Sequence, residues 1–160
     1  MECKGLDSLD KKLIQLLSKD GRMAMAKIAE CLKITHPTVR FRMENLIHSG
    51  FLRITGLVNA LKVKDFTIAI MGIRLDKHRQ LNKKIEEISK LSQVQWVVIV
   101  TGCFDIILEA VFTDGMLGLD RFLTEDLSRL GGIRSTESFI VIKAKRKWIF
   151  LPSQEEASEK

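Results

Sequence analysis

The sequence contains little cysteine and little histidine. The three cysteines, Cys3, Cys31 and Cys103, are an odd number without a Cys-x-x-Cys pair, and this argues against a disulfide framework and a zinc site. Free thiols are typical of a reducing cytoplasm. The three histidines have no partner at catalytic spacing, so acid–base groups are scarce. We therefore expect neither an enzyme nor a bound metal or cofactor.

Long hydrophobic runs are also missing. The longest apolar stretches, residues 96–100 and 139–142, are far shorter than the roughly 20 residues that a helix needs to span a bilayer. The first twelve residues contain no apolar stretch of the kind found in signal peptides. The 46% hydrophobic and 29% charged content is ordinary for globular proteins. The sequence thus predicts a cytoplasmic protein without a membrane partner.

The net charge of +6 is unevenly distributed. Residues 1–62 carry 11 Lys and Arg against 6 Asp and Glu, whereas residues 63–150 carry 14 against 11. The basic excess per residue is therefore greatest in the N-terminal part. This favours a polyanionic partner there, nucleic acid above all.

Residues 1–58 predict a winged helix-turn-helix domain. The first helix, over residues 8–18, has leucines at helical spacing and Asp7 as N-cap. A short second helix covers residues 24–32, and a third begins after Thr35 with Pro37 in its first turn and ends near Gly50. The β-branched and apolar residues that follow, 51–58, predict a short wing or hairpin.

From residue 66 the pattern alternates strands with helices. After a linker at residues 59–65, the order is strand, helix, two strands, helix and strand, which is typical of a ferredoxin-like βαββαβ domain over residues 66–147. A tail is expected at residues 148–160, whose end, SQEEASEK at residues 153–160, is polar. The fold class is therefore α+β, with two domains.

The third helix predicts a DNA-binding surface. Its residues Val39, Met43, Leu46 and Ile47 share one face and form the core contact, which leaves the opposite face for the major groove. Arginines suit guanine edges and phosphates, and Phe41 suits a thymine methyl group. The alternative is a solvated helix of a small protein-interaction domain. The predicted DNA-binding residues are Thr35, His36, Thr38, Arg40, Phe41, Arg42, Asn45 and, in the wing, Arg53.

A second candidate site is the turn at residues 101–105, between two apolar strands. Gly102 permits close approach of a ligand, and Asp105 places a charge among hydrophobic residues. The residues alone leave two interpretations open: a ligand site, or a hairpin turn whose aspartate caps local N–H groups.

At these residues the chain resembles the Lrp/AsnC family of bacterial and archaeal regulators. The resemblance covers about residues 6–143. It rests on LDSLDKKLI at residues 6–14, DGR at 20–22, IA at 28–29, THPTVRFRM at 35–43, GFL at 50–52, VTGCFD at 100–105 and GIRSTES at 132–138.

The resemblance implies a winged helix-turn-helix bound to double-stranded DNA, homodimers, octamers, and an amino acid or related metabolite as effector. By motif, the effector-binding residues are Thr101, Gly102, Cys103, Asp105 and Thr136. Two residues depart from the family pattern. Lys33 stands where the helix-turn-helix usually has glycine, and Cys103 stands where a polar or charged residue is common.

Two other functions fit the same two-domain layout. One is an enzyme subunit of a tetrapyrrole pathway, because siroheme decarboxylases resemble this layout. The scarcity of acid–base groups argues against it, since His78 is the sole histidine after residue 62. The other is an effector-binding partner that does not bind DNA.

Overall fold

The computed structural model describes residues 5–151, and the chain divides into two compact units between Gly56 and Leu57. Helices α1 (Ser8–Lys19), α2 (Met25–Leu32) and α3 (His36–His48) form the first unit. No helix in the described range is long and apolar enough to cross a membrane.

The three helices of the first unit enclose one apolar core. Helix α1 begins with a capping box in which the Asp7 carboxylate accepts the Asp10 N–H and the Asp10 side chain accepts the Asp7 N–H. Helix α3 begins at Thr35, whose hydroxyl accepts the Thr38 N–H. The buried core residues are Leu13, Leu17, Ile28, Ala29, Val39, Met43 and Leu46.

The turn between α2 and α3 depends on a left-handed residue that is not glycine. Lys33 has φ 54° and ψ 45°, and the next N–H, that of Ile34, donates to the carbonyl of Ala29 at 3.1 Å. A left-handed conformation costs a residue with a Cβ atom about 1 kcal/mol or more. The backbone at this position is therefore left-handed even though it is occupied by lysine and not by glycine.

The predicted wing is wrong, because residues 51–57 form no strand. After Gly50, at φ 74°, the chain folds back so that the Leu52 N–H donates to the Leu46 carbonyl, and Leu52 packs against the helical core. The first strand-like pairing after α3 joins Val58 to Ile149 in the second unit. Two neighbouring strands are needed for a hairpin, and this segment supplies neither.

The second unit is a four-stranded antiparallel sheet with helices on one face. Its elements are β1 (Thr67–Leu75), α4 (Leu81–Ile88), β2 (Val94–Ile99), β3 (Ile106–Phe112), α5 (Met116–Arg121) and β4 (Ile133–Ile140). Helix α5 continues through a π-helical segment, Phe122–Leu127, and a last turn, Ser128–Leu130. The strand order β2-β3-β1-β4 confirms the predicted ferredoxin-like βαββαβ arrangement.

The two faces of this sheet differ. The helix-covered face carries the main core, to which β1 contributes Ala69, Met71, Ile73 and Leu75. On the opposite face, a smaller cluster packs Ile68 and Val111 against Ala60 and Ile149.

This smaller cluster revises two predicted segments. The linker predicted at residues 59–65 contains a 3₁₀ turn, Ala60–Lys62, with Ala60 buried against the sheet. The tail was expected to begin at residue 148, yet Ile149 is buried and exchanges backbone hydrogen bonds with Val58. The buried side chain of Ile149 explains why this part joins the domain, whereas Trp148 and Leu151 remain exposed. The rest of the predicted tail lies outside the described residues.

Candidate functional site

Helix α3 presents a polar and aromatic face to solvent. Phe41 is 64% exposed, a large fraction for a phenylalanine, and Asn45 is also exposed. Arg40 is exposed and its Nε donates to Glu44 at 2.9 Å, one turn later. The phenyl ring has no core partner on this side, since the buried residues of α3 lie on the opposite face. This arrangement leaves the surface of α3 free to contact another molecule.

At the start of α3, two threonines form a capping pair. The hydroxyls of Thr35 and Thr38 are 2.8 Å apart, and Thr38 is half-buried. His36 is exposed in the first turn. These three residues lie at the positively polarised N-terminus of α3, which favours contacts with anionic groups such as phosphates.

Arg42 differs from Arg40 because it binds carboxylates at the start of another helix, α1. Its guanidinium donates to Asp7 and to Asp10, each at 2.7 Å, and its side chain is 28% exposed. The Asp10 backbone N–H and the Arg42 guanidinium lower the pKa of Asp7 below its usual value. Arg42 thus fastens α3 to the first turn of α1.

Arg53 follows α3 in the extended segment and is exposed. The sequence placed it in a wing, which the structure lacks. Any contact that it makes with DNA would therefore come from an extended chain.

In the second unit, the turn at residues 101–105 projects from one end of the sheet. Thr101, Gly102 and Cys103 are exposed, and Gly102 has φ 131°, a conformation that L side chains rarely adopt. The Val100 N–H donates to the Asp105 carbonyl at 3.0 Å and closes the turn.

Asp105 is the anchored end of this turn. One carboxylate oxygen accepts the Leu75 N–H at 2.7 Å, and the other lies 3.1 Å from Nδ1 of His78. Its backbone N–H donates to the Ile73 carbonyl at 2.9 Å. Asp105 therefore caps a local N–H, as one interpretation of the sequence predicted, and it also faces an exposed imidazole; the ligand site stays a prediction.

The sequence alone missed two neighbours of the turn. Arg74 donates through Nε to the Cys103 carbonyl at 2.6 Å, and its guanidinium lies 5.3 Å from the centre of the Phe104 ring. His78 approaches from the turn after β1. Neither is close to residues 101–105 in sequence, and only the antiparallel pairing of β1 with β3 brings them there. The alternation of buried and exposed positions along β1 could have placed Arg74, but not His78.

Thr136 lies at the same end of the sheet, two strands away from the turn. It is opposite Ile73 on β4, while Ile106 is opposite Ile73 on β3. Two strand spacings amount to roughly 10 Å. The structure thus groups residues 101–105 closely and places Thr136 on the far side of β1. Among the described residues, no three His, Cys, Asp or Glu side chains gather as a metal site.

Comparison with known proteins matches both units. The model of the AsnC-type helix-turn-helix domain matches residues 6–47, and that of the Lrp/AsnC ligand binding domain matches residues 68–147. This chain belongs to the Lrp/AsnC family. Members of the family are DNA-binding transcriptional regulators, and the chain contains both characteristic domains.

Related sequences and structures match this chain over almost its whole length. An uncharacterized HTH-type transcriptional regulator of Pyrococcus abyssi is 34% identical over 144 residues, 89% of each chain. Among solved structures, a feast or famine regulatory protein from M. tuberculosis complexed with L-methionine gives a TM-score of 0.74 at 20% identity, covering 88% of this chain and 94% of its own. A transcriptional regulator from Neisseria meningitidis in complex with L-Met gives 0.71 at 23%, covering 87% and 91%. At these identities the structures show a shared fold.

Proposed function

We propose that this chain is a cytoplasmic, sequence-specific transcription regulator that reads the major groove with α3 and responds to an amino acid or similar metabolite. The observation that carries the proposal is the outward face of α3. Phe41 is 64% exposed among polar side chains, on a helix that packs against its neighbours with the opposite face, and this is how a recognition helix is presented to the major groove.

The DNA surface comprises the capping residues and the outer face of α3. The helix N-terminus, with Thr35 and His36, receives phosphate oxygens, while Phe41 and Asn45 reach base edges. Arg40 gives up its ion pair with Glu44 and contacts a guanine or a phosphate instead. The loss of this ion pair costs little, because an exposed ion pair is weak in water. Arg42 acts differently from the prediction, since it positions α3 rather than touching DNA.

The effector site lies at the turn of residues 101–105, with His78 and Arg74 added to the predicted residues. An amino acid carries one carboxylate and one ammonium group, and the site offers the carboxylate of Asp105 and the guanidinium of Arg74, with the His78 imidazole beside Asp105. Two related structures hold L-methionine, which supports an amino acid as the class of ligand. Thr136 contributes from β4 if the ligand extends across β1.

Assembly is the third part of the proposal. The face of the sheet opposite the helices leaves Trp96, Val98 and Phe139 between 40% and 53% exposed, a large apolar surface for a monomer. We propose that a second copy covers it, giving a homodimer, and that dimers assemble further into an octamer.

DNA binding is tested by selection from randomised duplexes, followed by fluorescence anisotropy with the selected site. The wild type should bind this site with an affinity at least about 10³-fold above that for unrelated duplexes at physiological salt. The Phe41→Ala and Asn45→Ala variants should lose this preference while keeping the melting temperature. A wild-type protein that selects no sequence, even at low salt, would show that the chain is an effector-binding partner without DNA binding.

Effector binding is tested by native mass spectrometry of the purified protein, followed by calorimetric titration with each of the twenty amino acids. One or a few should bind, and Asp105→Asn and His78→Ala should weaken binding. A protein that carries a Soret-absorbing ligand would instead favour the tetrapyrrole-pathway enzyme, against which family membership currently argues.

A further inference from the structure

A cluster of positive charge near the end of the second unit has no part in the proposed DNA or effector sites. Residues 143–147, with the sequence KAKRK, contain four cations and no acid; we call them the basic segment. Over residues 57–142, 11 Lys and Arg balance 11 Asp and Glu. The positive charge of this unit up to residue 147 therefore comes entirely from the basic segment.

The basic segment is fixed to the sheet at its end. Lys147 forms an ion pair with Glu109, which is only 2% exposed on β3. Two residues later, Ile149 is buried and exchanges two backbone hydrogen bonds, of 2.9 and 3.0 Å, with Val58. The segment is thus anchored to the sheet at its C-terminal end.

The other three cations face solvent. Lys143, Lys145 and Arg146 are exposed, and within residues 5–151 none of them has an acidic partner. Arg146 has φ 57°, a left-handed conformation that bends the chain between the solvent-facing cations and the inward-facing Lys147. By contrast, Arg121 and Arg129 on the helical face of the unit each pair with a carboxylate.

A short stretch of chain connects the anchor of the basic segment to the helix-turn-helix unit. Val58, the backbone partner of Ile149, is two residues after Gly56, where the first unit ends. Two peptide units span at most about 8 Å. When the first unit binds a duplex, the connection therefore gives that duplex a high effective concentration at the basic segment, whatever the orientation of the two units.

We propose that the basic segment is a second DNA-contacting surface, which binds backbone phosphates of the duplex next to the sequence read by α3. It provides sequence-independent affinity, because solvated Lys and Arg side chains contact phosphates without reading bases. This inference rests on the proposed function, since it requires that α3 binds duplex DNA.

The test compares the wild-type chain with a Lys143→Gln, Lys145→Gln, Arg146→Gln triple variant on the selected site embedded in a 60-base-pair duplex. Anisotropy titrations over a range of KCl concentrations give the slope of log K against log salt. Three lost phosphate contacts should reduce its magnitude by about 2 to 3 and weaken binding by ~10-fold or more at 0.1 M. Preference for the selected site over unrelated sequence should stay unchanged.

The matched control is a Lys83→Gln, Lys90→Gln, Arg129→Gln variant, which removes the same charge from exposed positions on and after the helices. It should leave the slope within about one unit of the wild type, and light scattering should give both variants the wild-type mass. An unchanged slope in the segment variant, or an equal loss in the control, would overturn the inference while α3 still binds DNA. If the wild type selects no duplex at all, the proposed function fails as well.

Discussion

The guanidinium of Arg42 on α3 donates to the Asp10 carboxylate in the first turn of α1 at 2.7 Å. Asp10 is only 18% exposed, and the same guanidinium also reaches Asp7. The two carboxylates complete the capping box of α1, so one arginine joins the start of the first helix to the middle of the third. An arginine at the centre of the predicted DNA surface therefore holds the domain together.

Substitutions of Arg42 and Arg40 separate the stabilisation of the first unit from DNA binding. We expect Arg42→Ala to lower the melting temperature of the first unit by a few degrees, because two carboxylates lose their common partner. Arg40→Ala should leave the melting temperature within error, since its pair with Glu44 is exposed, but weaken DNA binding. Calorimetry and anisotropy at a temperature where both variants are folded measure the two effects. If Arg42→Ala instead weakened DNA binding without lowering the melting temperature, Arg42 would be a DNA contact.

The pH dependence of stability should show the contribution of Asp7. Its pKa is lowered in the folded state by the Asp10 N–H and by Arg42, so its contribution is fully present above the unfolded pKa of about 4 and is lost as the pH falls through the lower folded value. Melting temperatures of wild type and Asp7→Asn should therefore differ above pH 5 and converge as the pH falls below 4. Asparagine is a fair control because it keeps an N-cap oxygen. A constant difference across this range would contradict the assignment.

The left-handed Lys33 offers a stabilising substitution. Glycine at φ 54° avoids the Cβ strain of lysine, although it increases the entropy of the unfolded chain. Lys33→Gly should raise the free energy of unfolding by ~0.5 to 1 kcal/mol in urea titrations. Lys33→Ala should bring no such gain, because alanine keeps the Cβ atom. Equal effects of the two variants would show that strain is absent.

The buried pair of Glu109 and Lys147 should be sensitive to loss of one partner. Lys147→Ala leaves a carboxylate unpaired at a position only 2% exposed, and we expect a loss of ~3 kcal/mol or more. A Glu109→Gln, Lys147→Met double variant should recover much of this loss, because no charge remains buried. Urea unfolding monitored by tryptophan fluorescence measures both, and a double variant as unstable as the single one would contradict this account.

Gly72 leaves room for Phe104, in the turn at residues 101–105. A Cβ atom on this residue would lie 2.6 Å from the Phe104 ring, which packs directly over the strand. Gly72→Ala should therefore destabilise the unit by ~1 to 3 kcal/mol and weaken effector binding by displacing residues 101–105. In a Phe104→Ala background the same substitution should cost much less. Additive effects in this double-mutant cycle would show that the two residues do not interact.

Local sequence patterns determined much of this protein. Helical spacing and the caps at Asp7 and Thr35 predicted three helices, and the alternation of strands and helices predicted the ferredoxin-like sheet. These features depend on neighbours within a few residues, which the sequence displays directly. On the third helix the predicted core contact is wrong for Ile47, which is 48% exposed because it lies at the edge of the buried face. The same patterns suggested a wing, because β-branched residues favour strands even where no partner strand exists.

Tertiary structure alone decided which charged groups are used internally. Arg42 meets Asp7 across 35 residues, His78 meets Asp105 across 27, and Lys147 meets Glu109 across 38. Each pairing depends on how helices cross or strands align, and a charged residue has the same sequence signature whether it faces solvent or a buried partner. Residue types therefore gave the candidates, while the folded chain separated the cations that stabilise it from those left to bind another molecule.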